Sequence, residues 1–311
     1  MLDATGRNIT YLRLSVTDLC NYRCRYCMPP DGVCKRAHRD ICSLEELAAM
    51  AAAAVQLGVR KIRVTGGEPL VRRGIVDLCR MLHEIPGVEE LCLTTNGSLL
   101  PAYADALRAA GVDRLNISLD TLDRGRFADL TRGGNLQDVL DGLAAAERAG
   151  FSGLKLNCVL LADTPEDDIR RLAALTREKP WEVRFIELMP IGPADAAEFR
   201  PADSVLQLLP ELVPCGTGSV STRCRFPDAP GAVGLITPLS HAFCSRCDRI
   251  RITADGKLKP CLHSQQEIPL RGLTGGALLD AIRTGIAAKP AQHHLDTGHT
   301  DAARPMSAIG G

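Results

Sequence analysis

Cys20, Cys24 and Cys27 stand in the run Asp18-Leu19-Cys20-Asn21-Tyr22-Arg23-Cys24-Arg25-Tyr26-Cys27-Met28-Pro29. Three thiolates this close can hold an iron–sulfur cubane and leave one iron open, since clusters with four irons normally take four cysteines. A structural zinc is the plainer alternative. Zinc runs, however, pair two Cys-x2-Cys knuckles, or one knuckle with a histidine pair, and the fourth ligand is missing here. A second trio, Cys244, Cys247 and Cys261, is spaced Cys-x2-Cys-x13-Cys. Between its members run Arg249-Ile250-Arg251-Ile252-Thr253, the turn Ala254-Asp255-Gly256 and Lys257-Leu258-Lys259-Pro260, which read as a hairpin with Arg249 and Arg251 on one face. His263 is near enough to Cys261 to complete a three-cysteine, one-histidine zinc site. Against zinc, two arginines beside the thiolates suit an anionic ligand that a closed structural metal does not need, so a second cluster with an open iron fits better. Cys34, Cys42, Cys79, Cys92, Cys158, Cys215 and Cys224 show no ligand spacing and read as small buried or surface residues.

These loops need a scaffold, and a strand–helix rhythm from Tyr11 to about Met189 supplies one. Strand-like runs fall near 11–16, 61–65, 89–94, 113–119, 153–160 and 182–188. Helical stretches fall at 43–57, 74–83, 101–110, 135–149 and 165–177, the first opened by a Ser43/Glu46 capping box and ended by Gly58. Such alternation implies parallel strands with crossover helices. Six repeats rather than eight describe an α/β fold, an incomplete (β/α)6 TIM-like barrel open on one side. Leu12, Leu14 and Val16 share one face of the first strand, and Tyr11, Arg13, Ser15 and Thr17 the other. Ile62 and Val64 oppose Lys61, Arg63 and Thr65 in the second, and Leu115, Ile117 and Leu119 oppose Asn116, Ser118 and Asp120 in the fourth. Crossover helices must cover the apolar face, so the polar face lines the barrel. Cys20, the Gly66-Gly67-Glu68-Pro69 run, Thr95-Asn96-Gly97 and Asp120 follow successive strands at their carboxyl ends, where barrel enzymes place active sites. The sixth strand does not alternate cleanly.

The first cysteine loop, with Tyr26 before its third cysteine, resembles the signature of radical S-adenosylmethionine (SAM) enzymes, and Gly66-Gly67-Glu68-Pro69 resembles their segment for the SAM amino group. In that superfamily SAM chelates the open iron, and an electron from the cluster cleaves its sulfonium to a 5′-deoxyadenosyl radical. Further segments narrow the likeness: Leu12-Arg13-Leu14-Ser15-Val16-Thr17-Asp18, Lys61-Ile62-Arg63-Val64-Thr65, Leu93-Thr94-Thr95-Asn96-Gly97, Arg114-Leu115-Asn116-Ile117-Ser118-Leu119-Asp120, Arg184-Phe185-Ile186-Glu187-Leu188-Met189-Pro190, the second trio and Met306-Ser307-Ala308-Ile309-Gly310-Gly311. In this order, over nearly the whole chain, they resemble the GTP 3′,8-cyclase family, which opens molybdenum-cofactor biosynthesis.

That resemblance implies two [4Fe-4S] clusters, on Cys20, Cys24 and Cys27 and on Cys244, Cys247 and Cys261, with the second binding the guanine edge. It implies SAM contacts from Tyr26, Gly67, Ser118 and Met189, and GTP contacts from Arg13, Arg63, Thr94, Lys155, Arg249, Ile250 and Arg251, with Lys61 and Arg184 adding charge. Hydrogen removed from C3′ of GTP lets the ribose close onto C8. Catalytic roles fall to Arg249, Arg251 and the terminal Gly310 and Gly311, whose tail is expected to enter the barrel. Implied partners are cyclic pyranopterin monophosphate synthase, which takes the product, an electron donor such as flavodoxin or ferredoxin, and in a homodimer a second copy. Residues 1–190 are expected to form the partial barrel, and 191–311 a smaller region closing its open side. Departures from the family pattern are Leu19 for a basic residue, Tyr22 for phenylalanine and a shorter 29–42 loop. A radical SAM peptide-modifying enzyme is the alternative, disfavoured because those carry more cysteines in their C-terminal extension. A cluster-based carrier or sensor would not need an arginine-lined barrel.

Thirty-seven Lys and Arg balance 37 Asp and Glu, so no global field recruits nucleic acid or an acidic membrane. There is no Gly-x4-Gly-Lys-Ser/Thr loop, so a bound nucleotide is not held as in a P-loop enzyme. Residues 1–10 lack the apolar centre of a signal peptide, and the apolar stretch 47–57 is too short to span a bilayer. The expected location is the cytoplasm, where clustered thiols mean metal more often than disulfides. His293, His294 and His299 read as solvated surface.

Overall fold

The computed structural model describes residues 1–34, 36–295 and 301–310. β1 (Tyr11–Ser15), α1 (Leu44–Gln56), β2 (Lys61–Thr65), α2 (Ile75–His83), β3 (Glu90–Thr95), α3 (Leu100–Ala109) and β4 (Arg114–Ser118) follow the expected rhythm. α4 (Arg124–Thr131) then precedes α5 (Leu136–Arg148), β5 (Lys155–Leu160), α6 (Glu166–Glu178) and β6 (Glu182–Glu187). Both halves of the Ser43/Glu46 capping box form, and Gly58 leaves α1 with φ of +106°. α4 is not among the helices that the sequence pattern predicts, because its apolar stripe is short. It is capped by the Asp123 carboxylate, which accepts from the Arg126 amide at 2.7 Å.

Beyond β6 come α7 (Ser204–Leu208), β7 (Val213–Thr217), β8 (Thr222–Arg225), β9 (Ala232–Ile236), β10 (Arg249–Ile252), β11 (Lys257–Lys259), β12 (Ile268–Pro269), α8 (Gly275–Ala287) and α9 (Met306–Ile309). All strands join one sheet in the order β12-β11-β10-β1-β2-β3-β4-β5-β6-β9-β8-β7. β10 lies parallel to β1, and β9 parallel to β6, so both flanks of the six-strand run are extended by late segments of the chain. Antiparallel hairpins finish each flank. The terminal strands β12 and β7 sit at opposite ends of the order, and the barrel is open.

Leu12, Leu14, Ile62, Val64, Leu91, Leu93, Leu115, Ile117, Leu156, Val183, Phe185, Ile250 and Ile252 form the apolar layer beneath the helices. Each such side chain withdrawn from water is worth about 1.5–3 kcal/mol, which fixes the register and turns the intervening polar residues inward. β6 breaks its alternation at Glu187, on the face of Val183 and Phe185. There the buried carboxylate accepts from the amides of Ala202 (3.2 Å), Leu239 (3.0 Å) and Ser240 (3.1 Å) and from the Ser240 hydroxyl. It ties the loops after β6 and β9 to the sheet.

Candidate active site

The first cysteine loop is built against α4. Amides of Arg23 and Arg25 donate to the carbonyls of Thr131 (3.0 Å) and Leu130 (2.9 Å). Arg132, in the left-handed region at φ +53°, donates to the carbonyls of Met28 (2.8 Å) and Arg23 (3.2 Å). The loop after β2 crosses at close range. A Cβ on Gly66 would stand 2.7 Å from the Thr17 carbonyl oxygen, and one on Gly67 2.4 Å from that of Leu19. The glycines therefore serve first to let two main chains touch, with Gly67 N–H donating to Thr17 at 2.8 Å and Glu68 N–H to Leu19 at 2.8 Å. Glu68 itself is buried and accepts from Leu70 N (3.0 Å), Thr95 Oγ1 (2.8 Å) and Asn96 N (2.7 Å). It staples the loops after β2 and β3 together. Burial lifts its carboxyl to about 7, against those hydrogen bonds.

Burial pushes the Cys27 thiol up to about 12 and Cys24 well above its usual value, and neighbouring thiols of the trio add to both shifts. A hydrophobically shielded trio of mutually repelling sulfurs fits a bound cationic metal assembly, whose binding drives off those protons. The Tyr26 hydroxyl donates to Asp120 Oδ2 at 2.7 Å, while Asp120 Oδ1 accepts from Val159 N at 2.8 Å. Tyr26 is thereby fixed between the cysteine loop and the ends of β4 and β5. Gly67 follows β2, Ser118 ends β4 and half-buried Met189 follows β6. All four residues expected to meet SAM lie at carboxyl ends of strands.

Parallel register assembles the cationic wall. Arg251, Arg13 and Arg63 are direct neighbours across β10, β1 and β2, and Arg249, Tyr11 and Lys61 form the adjoining row. Thr94, Asn116, Lys155 and Glu182 make a further row across β3 to β6. Burial, then repulsion from Arg251, drives the Arg13 guanidinium well below its ordinary value. Burial and Arg249 bring Arg251 down to about 10. Lys155 is lowered to about 8 by burial and by Arg184, even though Glu182 pairs with it at 3.1 Å. Crowded, desolvated cations of this kind call for an anion. Arg184 shares Glu182 at 2.6 Å, and Lys61 pairs with Glu90. Asn116 and Asn157 carry buried carbonyl oxygens without a hydrogen-bond partner among the described residues, groups that a polar ligand would complete. Ile250 faces the other way, into the apolar layer, so only its main chain is available to a ligand.

Tyr11 shares the inward face of β1 but is not among the site residues that the sequence singles out. Its hydroxyl accepts from Arg63 Nε, and its ring lies under Arg249 (5.1 Å) and Lys61 (5.2 Å). Burial would raise the phenol; Arg63, Arg249 and Arg13 outweigh it and bring it to about 8. Arg63 also donates to Thr94 Oγ1 at 3.4 Å.

The second trio hangs on buried cations that donate to main-chain carbonyls. Arg7, paired with Asp3 at 2.6 Å, reaches the carbonyls of Cys244 (2.8 Å) and Pro290 (2.7 Å). Lys289 reaches those of Arg249 (2.8 Å) and Pro260 (2.9 Å). Cys261 and Cys247 both stand near enough to Arg251 to favour its charge. His263 is buried with its ring edge-on to His293 at 5.0 Å, and burial pushes it down to about 3. His293 is thus packed rather than solvated; His294 is exposed, and His299 lies outside the described residues. Among the described residues no three His, Cys, Asp or Glu side chains are grouped to hold a single metal ion.

The tail reaches both halves of the site. The Ser307 amide lies near enough to the Cys27 sulfur to favour its thiolate, against burial. Gly310, at φ +81°, sits between Ser15 and Thr65, and its carbonyl accepts from Arg251 Nη1. Gly311 lies outside the described residues.

A cysteine trio at the mouth of an open parallel barrel, backed by a glycine-paired second loop, defines a radical SAM protein. Residues 14–176 match the model of the radical SAM superfamily, and 181–295 that of the Molybdenum Cofactor Synthesis C family. The chain is 44% identical over 320 residues to a GTP 3′,8-cyclase of Alkaliphilus oremlandii, covering all of both chains. It is 48% identical to one of Peptoclostridium acidaminophilum, covering all of this chain and 98% of that one. The protein belongs to the GTP 3′,8-cyclase family. Its fold is shared at lower identity by Streptococcus suis SuiB bound to precursor peptide SuiA (15% identity, TM-score 0.68, covering 91% of this chain and 67% of that one). It is shared too by anSMEcpe with bound AdoMet (13%, TM-score 0.57, 94% and 83%).

Proposed function

We propose that this protein is the lyase that converts GTP to (8S)-3′,8-cyclo-7,8-dihydroguanosine 5′-triphosphate, opening molybdenum-cofactor biosynthesis. The single observation that carries the reading is the rung Arg251–Arg13–Arg63, a desolvated cationic row set by strand register, with Gly310 of the tail and Cys247 and Cys261 of the second trio beside Arg251. Cys20, Cys24 and Cys27 would hold one four-iron cluster, and Cys244, Cys247 and Cys261 a second, next to which the guanine would lie. When bound, the first cluster would supply the electron for reductive cleavage of SAM, whose 5′-deoxyadenosyl fragment would take the hydrogen from C3′ of GTP.

The chain's own residues do the rest. Arg13, Arg63, Arg249, Arg251 and Lys155, with Lys61 and Arg184, grip the triphosphate through charge-assisted hydrogen bonds. Tyr11 and Thr94 hold Arg63 in its orientation, and the main chain of Ile250 adds a contact. Tyr26, Gly67, Ser118 and Met189 orient SAM. Arg249 and Arg251, with Gly310 and Gly311, hold the ribose and base in line for closure onto C8. Residues 1–190 form the radical SAM partial barrel, and 191–311 the region that carries the second trio and the Gly310-Gly311 tail, with GTP held between residues of both. The protein works in the cytoplasm, takes electrons from a flavodoxin or ferredoxin, passes its product to cyclic pyranopterin monophosphate synthase, and forms a homodimer. No helix among the described residues is long and apolar enough to cross a membrane.

Oxygen-free protein reconstituted with iron and sulfide, given dithionite, SAM and either GTP or ATP, tests this. 5′-Deoxyadenosine and the cyclised nucleotide should form with GTP. SAM cleavage indifferent to GTP, or requiring a peptide, overturns the reading.

A further inference from the structure

Asp255 lies in the turn between β10 and β11, outside every group assigned above, yet three segments of the chain converge on it. From the tail, Arg304 grips it bidentately, Nη1 to Oδ1 at 2.9 Å and Nη2 to Oδ2 at 3.0 Å, and reaches Glu267 at 2.6 Å. From the loop that follows the first trio, Arg36 donates to Asp255 Oδ2 at 3.0 Å and pairs through Nε with Asp18 at 3.3 Å. Thr253 Oγ1 donates to Oδ1 at 2.6 Å. Glu267 in turn faces Lys257 (3.1 Å) and Lys259 (3.6 Å).

The side chains of Asp18, Asp255, Arg304 and Glu267 are only 9, 11, 14 and 15% exposed. Shielded, forked contacts of this type are the strong ones and the least screened by salt. The chain neighbours of these groups matter as much. Asp18 lies two residues before Cys20. Arg304 lies three before Ser307, whose amide lies near the Cys27 sulfur, and six before Gly310, whose carbonyl accepts from Arg251 Nη1. The Ala254 carbonyl, beside Asp255, accepts from the Cys42 amide at 2.9 Å and anchors the far end of the same loop.

We infer that Asp255 is a positioning residue: a clasp shared by Arg36 and Arg304 that couples seating of the C-terminal tail to ordering of the loop around the first cysteine trio. One carboxylate serves both arginines, so each arm holds it in place for the other. Loss of either arm leaves Asp255 to be held by fewer partners, and the opposite segment loosens. The tail then meets Arg251 and Cys27 only when the SAM-side loop is closed. This rests on the proposed function for its purpose, but its geometry does not.

The test is amide hydrogen exchange in the reconstituted holoenzyme with SAM, comparing wild type with Arg36→Gln, Arg304→Gln, Asp255→Asn and the conservative Arg304→Lys. Arg36→Gln, which touches no tail residue, should speed exchange at 306–310 roughly tenfold, within the usual range of coupling between sites. Arg304→Gln should loosen 36–42 by a similar factor, Asp255→Asn should loosen both, and Arg304→Lys should restore much of the protection. Turnover at saturating GTP should fall in step with tail protection. Exchange that rises only in the segment carrying each substitution overturns the clasp. If Asp255→Asn does not fold, the two partly exposed arginine variants decide the matter alone. Wild-type GTP-dependent SAM cleavage is measured alongside, so that a failed function and a failed clasp give different results.

Discussion

Gly310→Ala converts the tail's placement into a number. The residue holds φ of +81°, where an L side chain costs about 1–2 kcal/mol. An added Cβ would stand 2.4 Å from Thr65 Oγ1 and 2.9 Å from Ser15 Cβ, and overpacking of this order costs roughly 1–3 kcal/mol. Together these disfavour the seated tail by about 2–5 kcal/mol, at least about a 30-fold shift in its equilibrium. Because Gly310 follows the four-residue helix α9 and lies outside the sheet, the cost falls on docking of the tail rather than on the fold. The melting temperature should stay within a few degrees of wild type while turnover drops by about tenfold or more. Thr65→Ala in the same background removes the nearer obstacle but not the backbone strain, so it should recover part of the loss and no more. The assay is cyclised nucleotide formed per enzyme with iron content matched across variants, with exchange protection at 306–310 as the structural readout. Wild-type turnover in Gly310→Ala, or equal loss with and without Thr65→Ala, refutes the steric reasoning.

Tyr11→Phe removes the acceptor that orients Arg63. The KM for GTP should rise several-fold with little change in stability, and tyrosinate absorbance near pH 8 should be lost from the protein's titration. Lys155 carries its charge below about 8 and the unfolded chain keeps it to about 10.5. The KM for GTP should therefore climb between pH 7 and 9 and flatten in Lys155→Arg, whereas this residue's contribution to stability rises with pH over 8 to 10.5. Glu187→Gln turns an amide donor toward a ring of donors and should lower stability by about 2–4 kcal/mol, read as a reduced urea midpoint at unchanged slope.

Period-two alternation made the barrel legible, because apolar residues such as Leu12, Ile62 and Ile117 had to face helices and left Arg13, Arg63 and Asn116 facing inward. Cysteine spacing located both metal candidates, and the Arg249–Lys259 hairpin was readable from its turn. What escaped the sequence was contact between distant segments. Nothing local to Arg249 and Arg251 shows that β10 lies beside β1, yet that register creates the cationic rung. Tyr11 gains its role only from Arg63 and Arg249, and Glu187 looked like a fault in alternation until the loops at 202 and 239–240 closed around it. Gly67, expected from the resemblance to meet SAM, has the carbonyl of Leu19 as its tightest neighbour, a contact its own segment does not announce. Asp255 passed as an ordinary turn residue because its partners, Arg36 and Arg304, come from opposite ends of the chain.

The central claim is that the second trio presents GTP to the first across the arginine rung. The most direct measurement is the electron paramagnetic resonance spectrum of reduced, oxygen-free protein carrying Cys20→Ala, Cys24→Ala and Cys27→Ala, titrated with GTP. The expected result is a cluster signal from Cys244, Cys247 and Cys261 that changes on GTP binding and no longer does so in Arg251→Gln. A signal indifferent to GTP, or a second trio filled by zinc alone, contradicts it.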